Sequence, residues 1–97
     1  MLRHIFIGTF KAGISNEIKS KVLADLRAIK DKIPSVVELH TNFSKGWVGS
    51  ENSVVMTVDF ASKADFDSYI AHTYHVDYLM KQSAEYLSSY VAAQFEL

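Results

Sequence analysis

The sequence predicts an α+β domain with a four-stranded antiparallel sheet and helices on one face. Three observations support this prediction. The chain has 97 residues, of which 48% are apolar, which suits a single domain spanning 1–97 with one core. Four segments have the composition or the alternation of strands, and two have the spacing of amphipathic helices. Their order, strand-helix-strand-strand-helix-strand, is the βαββαβ arrangement of a ferredoxin-like subunit.

The first strand is predicted over Leu2–Phe10, where successive side chains fall on alternate faces. Ser15 is then a suitable N-cap for a helix that carries an acidic residue, Glu17, in its first turn. Apolar residues recur along this helix at spacings of three and four, as far as Ile33, and so mark one buried face. Pro34 ends the helix, since the residue before a proline is pushed out of helical geometry.

The middle of the chain predicts two strands joined by a loop. Val36–Phe43 is rich in β-branched and aromatic residues, and Val54–Phe60 shows the clearest alternation in the sequence. The loop between them, at 44–50, contains two glycines. One face of the later strand is wholly apolar and is expected to lie beneath the helices. This row consists of Val54, Met56, Val58 and Phe60.

The last part of the chain predicts a helix and a closing strand. Ser62 and Asp65 form a capping-box pattern that opens the helix. The helical pattern falters near Thr73 and resumes over Val76–Ser88. Tyr90–Leu97 is predicted to be the final strand.

Charge and composition exclude several classes of function. Ten basic and eleven acidic side chains leave a net charge of −1, so there is no basic excess for nucleic acid. The chain has no cysteine, which excludes disulfides, thiolate zinc sites and a cysteine nucleophile. Phosphate-cradling glycine motifs are missing, and no cofactor is predicted. The first apolar stretch is too short and interrupted for a signal peptide or membrane span, so we expect a cytoplasmic protein without a membrane partner.

The predicted sheet has a second face that the two helices leave uncovered. Ile5, Ile7 and Val55 would lie on it. A continuous apolar patch is unusual on a monomer, and the outer strands would expose unpaired backbone edges. Two copies stacked sheet against sheet would relieve both problems, so the sequence predicts a homodimer.

Histidines and tyrosines are the unusual polar residues. All five tyrosines lie between Tyr69 and Tyr90, with His72 and His75 among them. A neutral imidazole can accept a proton near pH 7, and a phenol can donate a hydrogen bond to a carbonyl or enolate oxygen. A pocket beneath the helices is predicted because Gly8 would leave space there. Its apolar walls would be Phe6, Met56 and Val58, and its polar points His4, Tyr69 and His75.

Structural interpretations stand beside these functional ones. Tyr74, Tyr78, Gln82, Tyr86 and Tyr90 follow an i, i+4 ridge that is more typical of packing than of a binding site. The pair of histidines three residues apart lacks a third metal ligand in the sequence, so no metal is predicted. A metal-bound regulator would need that ligand from the second subunit. His4 fits a satisfied core histidine as well as a functional one.

Several segments, taken in order, resemble one known family. They are RHIFIGTFKAGIS, the helix end KIP, the strand VVMTVDFAS and the segment YIAHTYHVDYL. Together they are similar to the stress-responsive A/B barrel domain, also called the dimeric α/β barrel proteins. The resemblance covers nearly the whole chain and implies a ferredoxin-like subunit whose sheet forms a barrel with that of a second copy. Members commonly read His-Pro-x-His where this chain has His-Thr-Tyr-His.

Within the family, the chain resembles olivetolic acid cyclase-like members. This resemblance implies that His75 is a general base, that Tyr69 orients or stabilises a substrate oxygen, and that His4 is a further pocket histidine. Val54 stands where those members have another histidine. With His75 and Tyr69 as catalytic candidates, the substrate-binding candidates are His4, Phe6, Gly8, Met56, Val58, His72 and Tyr78.

The resulting hypothesis is a homodimer with a small hydrophobic pocket in each subunit. The pocket would bind or cyclise a small polyketide-like or aromatic compound by histidine and tyrosine acid–base chemistry, a lyase-type activity. A non-catalytic, stress-associated binding or structural protein remains the alternative, because one fold supports many functions.

Overall fold

A computed structural model describes residues 1–97 and confirms the predicted ferredoxin-like α+β fold. Its four strands form one antiparallel sheet in the order β2-β3-β1-β4, so β1 and β3 are central and β2 and β4 are edges. The strands are β1 (Leu2–Phe10), β2 (Glu38–Phe43), β3 (Ser53–Phe60) and β4 (Leu87–Glu96). The helices are α1 (Asn16–Arg27), α2 (Ile29–Lys32), α3 (Lys63–Ala71) and α4 (Met80–Tyr86), with a π-helical segment, Tyr74–Leu79, directly before α4.

The first helix is capped as expected, but it is interrupted. The Ser15 side chain accepts a hydrogen bond from the Ile18 backbone N–H at 3.2 Å. The single helix predicted up to Ile33 is instead two, α1 and α2. Ala28 separates them with a ψ of −13°, far from the α-helical value of about −42°. Ile29 is fully buried even so, and Ile33 is 1% exposed, so the apolar face continues across the break.

The core lies between the helices and one face of the sheet. The apolar row of β3 is buried as predicted, with Val54, Val58 and Phe60 at 0% exposure. Leu23 and Leu26 of α1 pack into the same cluster. Burial of these side chains contributes most of the folding free energy, at about 25 cal/mol per Å² of apolar surface.

Two strand boundaries differ from the prediction. The last strand begins at Leu87, three residues before Tyr90, so the helix predicted to reach Ser88 is too long. The reason is a tertiary pairing: Leu87 lies opposite Phe10 of β1, beyond a register shift in the ladder. The second strand begins at Glu38, because Val36 is held in a turn by its hydrogen bond to the Ile33 carbonyl.

The opposite face of the sheet carries no helix. Ile7 of β1 lies there between Val55 of β3 and Val91 of β4, and Val91 is 68% exposed. At one end of this face Arg3 makes a bidentate ion pair with Asp59, at 2.8 and 2.9 Å. The face thus has an apolar centre that the chain itself does not cover.

No helix in the structure has the length and apolar character needed to cross a membrane.

Candidate active site

A cavity of about 710 Å³ lies between the helix-facing side of the sheet and α3, the π-helical segment and α4. It brings together five of the residues predicted from the sequence: His4, Phe6, Met56, Tyr69 and His75. Most of the remaining wall is apolar, and no Asp, Glu, Lys or Arg side chain contributes to it. A mostly apolar wall with a few convergent polar groups is the usual composition of a small-molecule site.

The sheet register explains why the polar groups meet. On the helix-facing side, His4 lies opposite Val58 of β3 and Gln94 of β4, while Phe6 lies opposite Met56 and Ala92 in the next row. The side chain of Val58 is fully buried and does not reach the cavity, in contrast to the prediction.

Gly8 is also placed differently from the expectation. It does not leave open space, because Leu87 packs directly over it. A Cβ atom at Gly8 would lie 2.6 Å from Leu87 Cδ1 and 3.0 Å from the Phe6 ring. A side chain at Gly8 would therefore have to displace the end of the Leu87 side chain, which lies beside the register shift between β1 and β4.

His72 and Tyr78 lie outside the cavity. His72 Nδ1 accepts a hydrogen bond from the Tyr74 backbone N–H at 3.0 Å, so its side chain caps the segment that follows. The Tyr78 hydroxyl lies on the other side of that segment, where it donates to Asp25 Oδ2 at 2.8 Å. Both side chains therefore bond to the protein around the cavity and do not line the space that a ligand would fill.

His75 is held as a proton acceptor. Its Nδ1 lies 3.0 Å from the Ile70 carbonyl oxygen, which can only accept, so Nδ1 carries the hydrogen. The neutral ring then has a free lone pair on Nε2. Burial lowers the pKa of His75, and the Ile70 hydrogen bond only partly opposes this shift. The ring is therefore neutral and basic at pH 7.

His4 has the opposite arrangement. The Gln94 amide Nε2 donates to His4 Nδ1 at 2.9 Å, which leaves the ring hydrogen on Nε2. Burial lowers the pKa of His4, and the nearby His75 lowers it further. His4 is thus a neutral hydrogen-bond donor, where His75 is an acceptor.

Tyr69 lies between the two imidazoles. Its ring centroid is 5.9 Å from that of His4 and 5.0 Å from that of His75. The side chain is 2% exposed, and burial raises the pKa of Tyr69 to about 12, so the hydroxyl stays protonated. The Tyr69 hydroxyl makes no hydrogen bond within the chain. It is not fully enclosed either, because Ser35 Oγ is the only side-chain nitrogen or oxygen that is both fully enclosed and without a partner. Since Tyr69 lines the cavity, its hydroxyl borders that space.

The backbone before His75 adopts the conformation that a proline at position 73 would impose. Thr73 stands at that position and has a φ of −58°, within the range to which a proline ring is confined. His72 before it is extended, with ψ at 141°, as a residue preceding proline would be. The His72 side-chain cap then fixes the start of the π-helical turn. π-Helical turns are rare and occur often at functional sites.

Two groups of this site escaped the sequence analysis. Gln94 was missed because its role depends on the register between the first and last strands, although a polar residue beside two small ones, Ala92 and Ala93, was a weak signal. The Ile70 carbonyl is a backbone atom and has no signature in the sequence.

The chain supplies no third ligand for a metal site at His72 and His75. No group of three or more His, Cys, Asp or Glu side chains is close enough to hold an ion. His72 Nδ1 is also occupied by a backbone N–H.

The fold and the cavity define a ferredoxin-like subunit with a ligand-sized pocket between its helices and its sheet. The chain belongs to the stress-responsive A/B barrel domain family, whose sequence profile matches residues 2–97. No curated protein matches the chain in sequence.

Solved structures share the fold at low identity. A dimeric ferredoxin-like protein of unknown function from Thermobifida fusca is 21% identical, with a TM-score of 0.85 over 99% of this chain and 90% of that one. A Dabb family protein from Mesorhizobium loti is 17% identical, with a TM-score of 0.84 over 99% and 95%. A hydroxynitrile lyase from Passiflora edulis is 17% identical, with a TM-score of 0.85 over 99% and 92%. At these identities the likeness shows the fold alone.

Proposed function

We propose that this protein binds an uncharged small organic molecule in the cavity and carries out acid–base chemistry beside an oxygen-bearing carbon. The observation that carries the proposal is the complementary arrangement around Tyr69. His75 offers a bare nitrogen, and His4 and Tyr69 offer two hydrogen-bond donors, in a cavity without charged side chains. A charged ligand would lose its hydration there without an opposite charge to replace it.

In the proposed reaction, His75 Nε2 removes a proton from a carbon next to a carbonyl group, or from a hydroxyl. The negative charge that develops on the substrate oxygen is stabilised by hydrogen bonds from Tyr69 and His4. In a cyclisation, the resulting carbanion attacks a second carbonyl carbon of the same molecule. The protonated His75 then returns its proton to the new alkoxide oxygen.

The finer form of the proposal is cyclisation of a polyketide-like or aromatic compound, which rests on the resemblance to olivetolic acid cyclase-like members. The structural likeness to a hydroxynitrile lyase is compatible with lyase-type chemistry on this fold. Both reactions change a carbon–carbon bond beside an oxygen, which is the chemistry that one base and two neutral donors would assist.

A non-catalytic binding protein is the second candidate, and Val54 favours it. The olivetolic acid cyclase-like members have a histidine at this position, whereas Val54 is fully buried and does not line the cavity. The site therefore lacks one polar group of that pattern, and the rest could simply orient a ligand.

Two probes separate these candidates. Thermal unfolding is measured with 2,4-dihydroxyacetophenone and with 2,4-dihydroxybenzoate, its carboxylate counterpart, because a ligand raises stability by mass action. Only the uncharged compound should raise the melting temperature. The increase should be lost in His75→Ala and kept in Glu17→Ala, a control at an exposed position of α1 away from the cavity and from the uncovered sheet face. A larger increase with the carboxylate would contradict the proposal.

The catalytic part is tested by deuterium exchange into the methyl group of acetophenone in D₂O, followed by NMR. The protein should accelerate exchange above the buffer rate, and His75→Ala should abolish the acceleration. Binding without any acceleration would support the second candidate and refute catalysis.

We also propose that the uncovered sheet face joins two copies in a homodimer, as two solved structures with this fold are described as dimeric. Ile7, Val55 and Val91 form its apolar centre. Light scattering at micromolar concentration should give twice the 10.9 kDa chain mass. Ile7→Lys should give the monomer mass, because it would bury a charge in the interface. A monomeric parent protein would refute the dimer.

A further inference from the structure

Asp25 of α1 collects hydrogen bonds from the segment that carries His75. Its Oδ2 atom accepts from the Tyr78 hydroxyl at 2.8 Å and from Gln82 Nε2 at 2.6 Å. Lys21 Nζ donates to the same oxygen at 2.8 Å. The Asp25 backbone carbonyl accepts from the Tyr74 hydroxyl at 2.7 Å. One residue of α1 therefore holds three side chains of the π-helical segment and α4.

These contacts lie outside the cavity, on the side of the segment away from the ligand space. None of Asp25, Tyr74 or Tyr78 lines the cavity. The rings of Tyr74 and Tyr78 are stacked, with their centroids 5.3 Å apart, and Lys21 lies 5.3 Å from the Tyr78 ring centroid. His75, one residue after Tyr74, lines the cavity. The segment is thus fixed to α1 on one side and presents its base on the other.

Asp25 is suited to this task because it stays ionised. Burial alone would raise the pKa of Asp25, but hydrogen bonds from Lys21, Tyr78 and Gln82 outweigh burial and lower it. Hydrogen bonds to a charged acceptor are about twice as strong as neutral ones. The anchor therefore persists across neutral pH.

The π-helical turn needs such an anchor. Its backbone bonds are i to i+5, as in the Met80 N–H to the His75 carbonyl, and this geometry is rare because it is less favourable than the α-helix. If the turn relaxed to an α-helix, His75 would rotate about the helix axis. Its Nδ1 would then lose the Ile70 carbonyl that fixes the ring hydrogen.

We propose that Asp25 is a positioning residue for His75, acting through Tyr74, Tyr78 and Gln82 to hold the π-helical turn that directs the imidazole into the cavity. The inference rests on the proposed function only in taking His75 as the base. Its test needs no substrate, so the two proposals can fail separately.

The test is long-range ¹H–¹⁵N NMR of the His75 imidazole, which reports which ring nitrogen carries the hydrogen and how the ring titrates. The parent protein should show the Nδ1–H form and a pKa below the ordinary value. In Asp25→Ala both nitrogens should share the hydrogen, and the titration should move to higher pH. Asp25→Asn keeps one acceptor oxygen but loses the charge, so its spectrum should lie between those of the parent and of Asp25→Ala.

A purely structural role is separated by Val22→Ala, which removes core packing from α1 and leaves every hydrogen bond of Asp25 in place. That variant should lose stability and keep the parent His75 spectrum. If Asp25→Ala does not fold, the same spectrum is measured on Tyr78→Phe, which removes the hydrogen bond from Tyr78 to Asp25 and keeps the ring stacked on Tyr74. An unchanged His75 spectrum in the folded Asp25 or Tyr78 variant, or an equal change in Val22→Ala, would overturn the proposal.

Discussion

Replacing Tyr69 by phenylalanine should not destabilise the protein, although Tyr69 is only 2% exposed. Removal of a buried hydroxyl usually costs the protein a hydrogen bond. The Tyr69 hydroxyl has no partner in the chain, so no such bond is lost. The ring contacts with His4 and His75 are kept in Tyr69→Phe.

The magnitude follows from the hydrogen-bond balance. A buried polar group without a partner costs about 1–3 kcal/mol, and contact with the open cavity reduces that cost. We therefore expect the free energy of unfolding to stay the same or to rise by up to about 1 kcal/mol. Tyr74→Phe is the matched control. It loses the 2.7 Å bond to the Asp25 carbonyl and should reduce stability by about 0.5–1.5 kcal/mol.

Urea unfolding at one fixed protein concentration measures both variants, because a dimer's stability depends on concentration. The same samples are then tested for binding of 2,4-dihydroxyacetophenone. Tyr69→Phe should bind it more weakly than the parent protein does. If Tyr69→Phe loses as much stability as Tyr74→Phe, the hydroxyl is a structural group, and our reasoning about the site is wrong.

Three further predictions follow from the same geometry. Thr73→Pro should raise the free energy of unfolding by about 0.4–1 kcal/mol in urea, because the native φ of −58° already suits proline; a loss of stability would show that the backbone there differs. The free energy of unfolding should fall as the pH is lowered from about 7.5 to about 5.5. The reason is that folding lowers the pKa values of His4 and His75, so the unfolded chain, whose histidines titrate near 6.5, binds protons first. The fall should be smaller in the variant in which both histidines are replaced by glutamine. Gly8→Ala should cost about 1 kcal/mol in urea unfolding, because the end of the Leu87 side chain must move aside for the added Cβ. The cost should be smaller in a Leu87→Ala background, and equal costs in both backgrounds would exclude that clash.

The sequence was sufficient for the fold because periodicity and packing agree in most of the chain. The alternation of β3 predicted its buried row, and the caps at Ser15 and Ser62 predicted where α1 and α3 begin. The prediction failed where a tertiary pairing overrides local preference. Leu87 continues a helical pattern, but it joins β4 because it pairs with Phe10 of β1, and the Tyr86 carbonyl before it accepts a hydrogen bond from the Lys11 N–H.

The candidate site was predicted only in part, for a similar reason. His4, Tyr69 and His75 were found because their chemistry is unusual on an apolar face. The tautomer of each imidazole depends on a partner, Gln94 or the Ile70 carbonyl, that only the sheet register and the π-helical turn bring into place. Residue type alone could therefore nominate the acid–base groups, but not which one donates and which accepts.

The absence of the family's proline illustrates the same point. From the sequence, the loss of that fixed backbone angle leaves the position of His75 undetermined. In the structure, Thr73 adopts a similar angle and the His72 side chain supplies the cap. One histidine of the pair thus organises the turn, and the other faces the cavity.

The central claim is that His75 is a neutral base facing a ligand cavity. Its most direct test is the pH dependence of deuterium exchange into acetophenone, with the buffer rate subtracted at each pH. We predict that the protein-dependent rate rises with pH to a plateau, with its midpoint below the ordinary histidine value of 6.5, and that His75→Ala abolishes it. A rate that persists in His75→Ala, or that does not change across this pH range, would contradict the account.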